Sequence, residues 1–212
     1  MKRLFGFKHI LVGCLAISAT WFTYADLEQG EGLYSSCIWC HGMNGEGVLG
    51  MGPALAGQTD VYLSRQLNHF KAGIRASEVD DFFGGQMRAM SMTLVDEQAV
   101  ASVSAYIASL PVSAVTSANA VAGDIDNGKM IYQGSCSSCH GATAEGNPLV
   151  NAPRLVSLDA TYLARQLSGF KTGLRGSHED DVYGGQMKFM AKSIHSDQDL
   201  NDVVAYIWSL AK

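Results

Sequence analysis

The chain repeats itself at a period close to 100 residues, and that repeat limits its fold more than any other feature. Cys37-Ile38-Trp39-Cys40-His41 recurs as Cys136-Ser137-Ser138-Cys139-His140 at an offset of 99. The stretch YLSRQLNHFKAGIR at 62–75 recurs as YLARQLSGFKTGLR at 162–175, and AYIASL at 105–110 recurs as AYIWSL at 205–210, both at an offset of 100. Gly30 and Tyr34 match Gly128 and Tyr132 at an offset of 98. The drifting offset places single-residue insertions between the blocks, where loops tolerate them. A period this long excludes a solenoid and fits two copies of a small domain. Residues 26–110 form the first copy and 124–212 the second. Between them, 111–123 is an uncharged linker rich in Ala, Ser and Val.

Each copy reads as helical. Val100, Val103, Ile107 and Leu110 fall on one helix face, as do Leu200, Val203, Val204 and Ile207. Ser196 and Asp199 make a capping start for the second of these. Leu63, Leu67 and Phe70, and their counterparts Leu163, Leu167 and Phe170, mark a second amphipathic helix. Gly73 and Gly173 stand where a left-handed helix end wants glycine. No segment alternates over six or more residues, so the expected class is all-α. The expected order in each copy is helix, Cys motif, Gly-rich loop, helix, methionine-bearing loop, closing helix. Gly84-Gly85 and Gly184-Gly185 are read as places where that loop turns.

The first 25 residues read as an export leader. Lys2, Arg3 and Lys8 precede an apolar run from Ile10 to Phe22, and Thr23-Tyr24-Ala25 ends in small residues. The run is shorter than the about 20 residues of a membrane span. Cleavage after Ala25 is preferred to an uncleaved anchor, and to lipidation at Cys14. Export to the periplasm leaves Cys37, Cys40, Cys136 and Cys139, which in an oxidising compartment would ordinarily suggest two disulfides. Residues 26–110 carry ten acidic and four basic residues, and 111–212 carry ten and eight. An acidic surface disfavours nucleic acid and anionic lipid and suits steering towards a basic partner patch.

The C-x-x-C-H spacing points to chemistry other than disulfides. Two thiols can add to the two vinyl groups of a haem, and the adjacent histidine is then presented to the iron. A redox dithiol or half a zinc site would use a similar spacing. However, no further Cys pair or βαβ pattern accompanies it, and the histidine falls in the same place twice. The site residues expected are Cys37, Cys40 and His41, and Cys136, Cys139 and His140, holding two covalent haem c groups. The iron's other axial position wants methionine or histidine. His69, His178 and His195 have no repeating partner and are expected at the surface or in loops. Met87 with Met187, and Met90 with Met190, do repeat. Met43, Met51, Met92 and Met130 do not, and are read as packing or loop residues.

Taken together, these motifs resemble the dihaem cytochrome c4 family, two tandem class I c-type cytochrome domains, over essentially all of 26–212. The resemblance implies thioethers at Cys37, Cys40, Cys136 and Cys139, proximal ligands His41 and His140, and ring-orienting carbonyls at Pro53 and Pro153. It implies that the ligand methionine lies seven residues before an apolar residue preceding the last helix. Leu94 and Ile194 fill that place, which selects Met87 and Met187 and leaves Met90 and Met190 as packing. Arg65, Arg75, Arg165 and Arg175 either neutralise haem propionates or cap helix ends. Asp80 and Asp81 receive no role.

The implied function is electron transfer between respiratory partners, a bc1-type complex or a dehydrogenase on one side and a membrane oxidase on the other. Loose membrane association is compatible with it, and nucleic acid is not expected. With both irons six-coordinate, no enzymatic activity is expected. The alternative is a haem subunit of a periplasmic dehydrogenase, such as a flavocytochrome sulfide dehydrogenase. A dihaem peroxidase ranks lower, because both halves offer the same methionine. Trp39 faces Ser138 in the repeat and the two halves differ in charge, so the two reduction potentials are expected to be unequal.

Overall fold

The structure is a computed structural model describing residues 27–112 and 121–211. The leader, Cys14 and most of the expected linker lie outside the described residues. Among the described residues there is no strand, only two isolated bridges, Val48–Gly52 and Asn147–Ala152. The all-α expectation holds.

The two halves have the same order of elements. In the first, α1 (27–34) leads into the short α2 (Ile38–His41), followed by α3 (Asp60–Ala72), α4 (Phe82–Ser91) and α5 (Glu97–Ser109). In the second these become α6 (Ile125–Ser135), α7 (Ser137–His140), α8 (Ala160–Thr172), α9 (Val182–Met190) and α10 (Asp197–Ser209). The expected ends are present. Gly73 and Gly173 are left-handed at φ 73° and 84°, and Ser196 with Asp199 forms a full capping box on α10.

The first and last helices of each half cross at a glycine. A Cβ on Gly30 would strike the carbonyl oxygen of Ser102, and one on Gly128 that of Asp202. A larger residue would push the helices apart and separate Tyr34 from Tyr106, now 5.6 Å apart by ring centroid, and Tyr132 from Tyr206 at 5.5 Å. Around these pairs lie the apolar faces seen in the sequence. Leu63, Leu94, Val100, Val103 and Ile107 form one core, and Leu163, Ile194, Leu200, Val203 and Ile207 the other. Burying each such side chain contributes roughly 1.5–3 kcal/mol.

The methionine segments differ from the expectation. They are helices, and both glycine pairs sit inside them. The side chains of Asp81 and Asp181 accept from the N–H groups of Gly84 and Gly184, both at 2.9 Å, and so cap α4 and α9. A Cβ on Gly84 or Gly184 would overlap that carboxylate. The glycines therefore make room for the cap rather than for a turn, and Asp81 gains the role that the sequence left blank.

The halves meet through side chains from equivalent positions. Gln66 Oε1 accepts from Arg75 Nη1 at 2.6 Å and Arg175 Nη2 at 3.0 Å. Gln166 Oε1 accepts from Arg175 Nη1 at 2.5 Å and Arg75 Nη2 at 3.0 Å. Arg65 lies 4.2 Å from the Tyr183 ring centre, and Arg165 lies 3.9 Å from that of Phe83. Gln58 adds a two-way bond to the Arg154 backbone, at 2.7 and 3.1 Å.

Candidate cofactor site

The C-x-x-C-H segment is a tight turn anchored from behind. Cys37 N–H donates to Tyr34 O at 2.8 Å, and His41 N–H to Cys37 O at 3.0 Å. The Tyr34 hydroxyl donates to Gly42 O at 2.7 Å and clamps the exit, as Tyr132 does on Gly141 O at 2.6 Å. The histidine is carried inward, with His41 5% exposed and His140 4%.

Both imidazoles are oriented by a proline carbonyl. Nδ1 of His41 lies 2.9 Å from Pro53 O, and Nδ1 of His140 lies 3.0 Å from Pro153 O. A carbonyl only accepts, so Nδ1 carries the proton and Nε2 keeps its lone pair. Burial lowers both pKa values, against a smaller opposing effect of the proline bond. The rings are therefore neutral and able to ligate.

None of the four described cysteines is in a disulfide. Burial raises the Cys37 pKa and pushes that of Cys136 up to about 11, with Cys139 adding to the latter. Among the described residues no group of three or more His, Cys, Asp and Glu is placed to hold a metal ion, which removes the zinc reading.

In the second half Cys136, Cys139 and His140 line a cavity of roughly 890 Å³ together with Met187 and Met190. Its walls are mainly apolar, with Leu163, Phe170, Ile194 and Val203 among them, and Tyr62, Arg65 and Gln66 of the first half close part of it. Apolar walls around an opening of that size favour a large apolar occupant over water. Met187 and its counterpart Met87 are half-buried, whereas Met190 and Met90 are 37% and 40% exposed.

Four arginines at this boundary lack anions. Nε of Arg65, Arg75, Arg165 and Arg175 is shut off from solvent with no acceptor, and none of the four makes an ion pair within 4 Å among the described residues. Burial lowers the pKa of Arg65 and Arg75, and Arg175 lowers that of Arg75 further. Half-buried cations held only by neutral partners gain from a neighbouring anion. Two thiols, an imidazole, a thioether, an apolar cavity and guanidiniums without a counter-anion fit an iron porphyrin with carboxylate side groups.

The fold and the site define a protein built from two c-type haem domains. Comparison with known proteins agrees. The cytochrome c family model matches residues 27–111 and again 125–211. Cytochrome c4 of Azotobacter vinelandii is 29% identical over 96% of this chain and 99% of its own, and that of Thiocapsa roseopersicina is 31% identical over 88% and 94%. A thiosulfate dehydrogenase electron acceptor of Thiomonas intermedia is 29% identical over 82% and 81%. The crystal structure of reduced cytochrome c4 from Pseudomonas stutzeri superposes with a TM-score of 0.68 at 27% identity, covering 85% of this chain and 96% of that one. The chain belongs to the cytochrome c family, in its dihaem cytochrome c4 branch. Each domain holds one covalent haem c, and the chain is an electron-transfer cytochrome.

Three sequence expectations change. His69 is not a loop residue. Its Nδ1 lies 3.5 Å from Asp181 Oδ1 of the other half, and its side chain is 14% exposed. Met130 is neither packed nor in a loop, being 66% exposed on α6, whereas Met43, Met51 and Met92 lie in turns as expected. Among the described residues Arg75 and Arg175 donate to glutamines, and of the four arginines only Arg65 reaches a helix end, at Asn151 O after the short 148–150 turn. Gln66 and Gln166 went unnoticed, although RQL is spelled identically at 65–67 and 165–167.

Proposed function

We propose that the chain carries single electrons between protein partners of a respiratory chain in the periplasm, towards a terminal oxidase. The thioether positions are Cys37, Cys40, Cys136 and Cys139, and the axial pairs are His41 with Met87 and His140 with Met187. The observation that carries this is the proline-oriented neutral histidine, present in both halves and opening in the second onto a cavity that a methionine also lines. The bound haem supplies the one-electron couple. The histidine's free Nε2 and the methionine sulfur would hold the iron, a pairing that favours a high potential. The Nδ1–H bonds fix ring orientation. The arginines balance carboxylate charge, and the apolar walls exclude water.

The purified holoprotein should contain two c-type haems and show the weak far-red band of methionine-ligated ferric haem. Met87→Leu and Met187→Leu should each remove half of that band. Loss on Met90→Leu instead would shift the ligand assignment by one helical turn.

A second reading is favoured by the name of the Thiomonas intermedia relative. In it the same site accepts electrons from a dehydrogenase rather than from a quinol-oxidising complex. Reduction by purified thiosulfate dehydrogenase faster than by a bc1-type complex would select it.

A further inference from the structure

The two haem-attachment turns are built alike but finished differently at the surface. In the first half, Trp39 stands between the two cysteines and is 79% exposed, and Met43 just past the motif is 71% exposed. The turn bridged by Val48 and Gly52 lies on this motif, since a Cβ on Gly52 would fall 2.5 Å from Cys40 O. That turn adds Leu49 at 45% exposure and Met51 at 49%. The second half places Ser138, Ala142 and Asn151 where the first has Trp39, Met43 and Met51.

The second half's turn exposes Leu149 and Val150, at 92% and 45%, but is engaged at its end. Asn151 O accepts from Arg65 of the first half at 3.0 Å, and Asn151 Nδ2 donates to the Tyr183 hydroxyl at 2.7 Å. Among the described residues no hydrogen bond from the second half reaches 48–52.

Charge sharpens the difference. Residues 27–64 contain Glu28, Glu31, Glu46 and Asp60, all exposed, and no lysine or arginine. The first half's four bases lie elsewhere. Arg65 and Arg75 are at the interdomain boundary, Lys71 donates to Leu94 O at 2.5 Å, and Arg88 lies over Gly73. The Trp39 face is therefore apolar at its centre, with Glu46 beside the motif at Gly42, in a segment that carries only acidic charge. A large exposed aromatic framed by one sign of charge has the composition of a docking centre.

We propose that the Trp39 face of the first half docks a redox partner protein whose own redox centre lies behind an apolar patch rimmed by lysine or arginine. This rests on the electron-transfer reading and adds which half makes the contact. One electron passes per encounter. The donor metal is oxidised by one unit, the accepting iron is reduced by one, and no atom moves.

The test follows electron exchange between the holoprotein and mitochondrial cytochrome c, a lysine-rich probe, by stopped flow at low and high salt. Hexaammineruthenium serves as a small reagent that needs no protein docking. Trp39→Ser copies the second half, and unchanged haem spectra show that it is folded. We expect it to slow exchange with the protein probe about tenfold, the loss typical of a central aromatic, and to leave the ruthenium rate unchanged. Glu31→Lys should lower the low-salt rate and flatten its salt dependence. Equal slowing with both reagents would mean that Trp39 acts on the haem itself, and an unchanged protein rate would remove the face as the contact. Either result overturns the proposal. Faster exchange with an acidic blue-copper protein than with the lysine-rich probe would overturn the partner's charge. If wild type reacts with the ruthenium complex but with neither protein, the carrier reading itself fails.

Discussion

Gln166→Leu is the substitution that best tests how the halves are held. Gln166 Oε1 accepts from Arg175 Nη1 at 2.5 Å within its own half and from Arg75 Nη2 at 3.0 Å across the boundary. Leucine keeps the volume and removes both acceptors. Two guanidinium N–H groups are then left facing an apolar side chain, while their Nε atoms already lack acceptors. The guanidiniums cannot swing out easily, because each is stacked on its own phenylalanine, Arg75 at 4.4 Å from Phe70 and Arg175 at 4.5 Å from Phe170. A hydrogen bond to a charged group contributes about 1.5–3 kcal/mol, and some water will reach the gap, so we expect a loss of about 3 kcal/mol. In a chain of this size that lowers Tm by about 6–12 °C. Thermal unfolding of the holoprotein, followed by haem absorbance, measures it. Gln66→Leu should cost the same, and the double variant less than twice as much, since the four side chains act as one ring. A loss below about 0.5 kcal/mol, the range of ordinary surface substitutions, would refute the claim that the ring joins the halves.

Other outcomes follow from the same contacts. Gly128→Ala puts a methyl group on the Asp202 carbonyl oxygen, and we expect it to destabilise the second half by about 1–3 kcal/mol, read by denaturant unfolding. Asp81→Ala and Asp181→Ala each remove an N-cap, and should cost about 1 kcal/mol and lower the temperature at which the far-red band of that half disappears. Burial first, and then Arg65, Arg75 and Arg175, lower the His69 pKa against the pull of Asp181. With the unfolded value near about 6.5, acid below it protonates the unfolded chain before the folded one. Stability should therefore fall as pH drops below about 6.5 and be level above it. His69→Gly, which copies Gly169, should flatten that slope in Tm measured across the range. A redox titration should resolve two unequal one-electron steps, because the halves differ in charge and at Trp39 and Ser138.

The fold was legible because it is written twice. The left-handed glycines and the apolar faces recur at offsets of 98 to 100 residues, and the structure uses each as read. The methionine segment was misread for a physical reason. Glycine weakens a helix interior by about 1 kcal/mol, so a Gly-Gly pair looks like a break. Here Asp81 caps α4 only because Gly84 has no Cβ, a trade that appears once the carboxylate and the glycine are seen in contact. The interdomain ring was hidden differently. Gln66 and Gln166 sit on the polar side of amphipathic helices, where a sequence reading assigns water. A boundary between halves that buries polar groups leaves no hydrophobic signal, only exact repetition of polar spelling. His69 escaped for the opposite reason, being unrepeated.

The differences between the copies are not scattered evenly. Boundary contacts made in both directions keep their chemistry: arginine over an aromatic ring, and glutamine between two arginines. Where a boundary contact does differ, it differs by an added polar group. Tyr183 keeps the ring of Phe83 and gains a hydroxyl that takes the Asn151 amide, while His69 lies near Asp181, without a hydrogen bond, at a position that is glycine in the other copy. The added hydroxyl favours one pairing of unlike halves over a pairing of two like ones. The larger replacement, tryptophan for serine inside the attachment motif, lies where neither half covers the other's surface. A duplicated chain has no internal need for an exposed tryptophan, so the difference is accounted for by something outside the chain that meets only the first half.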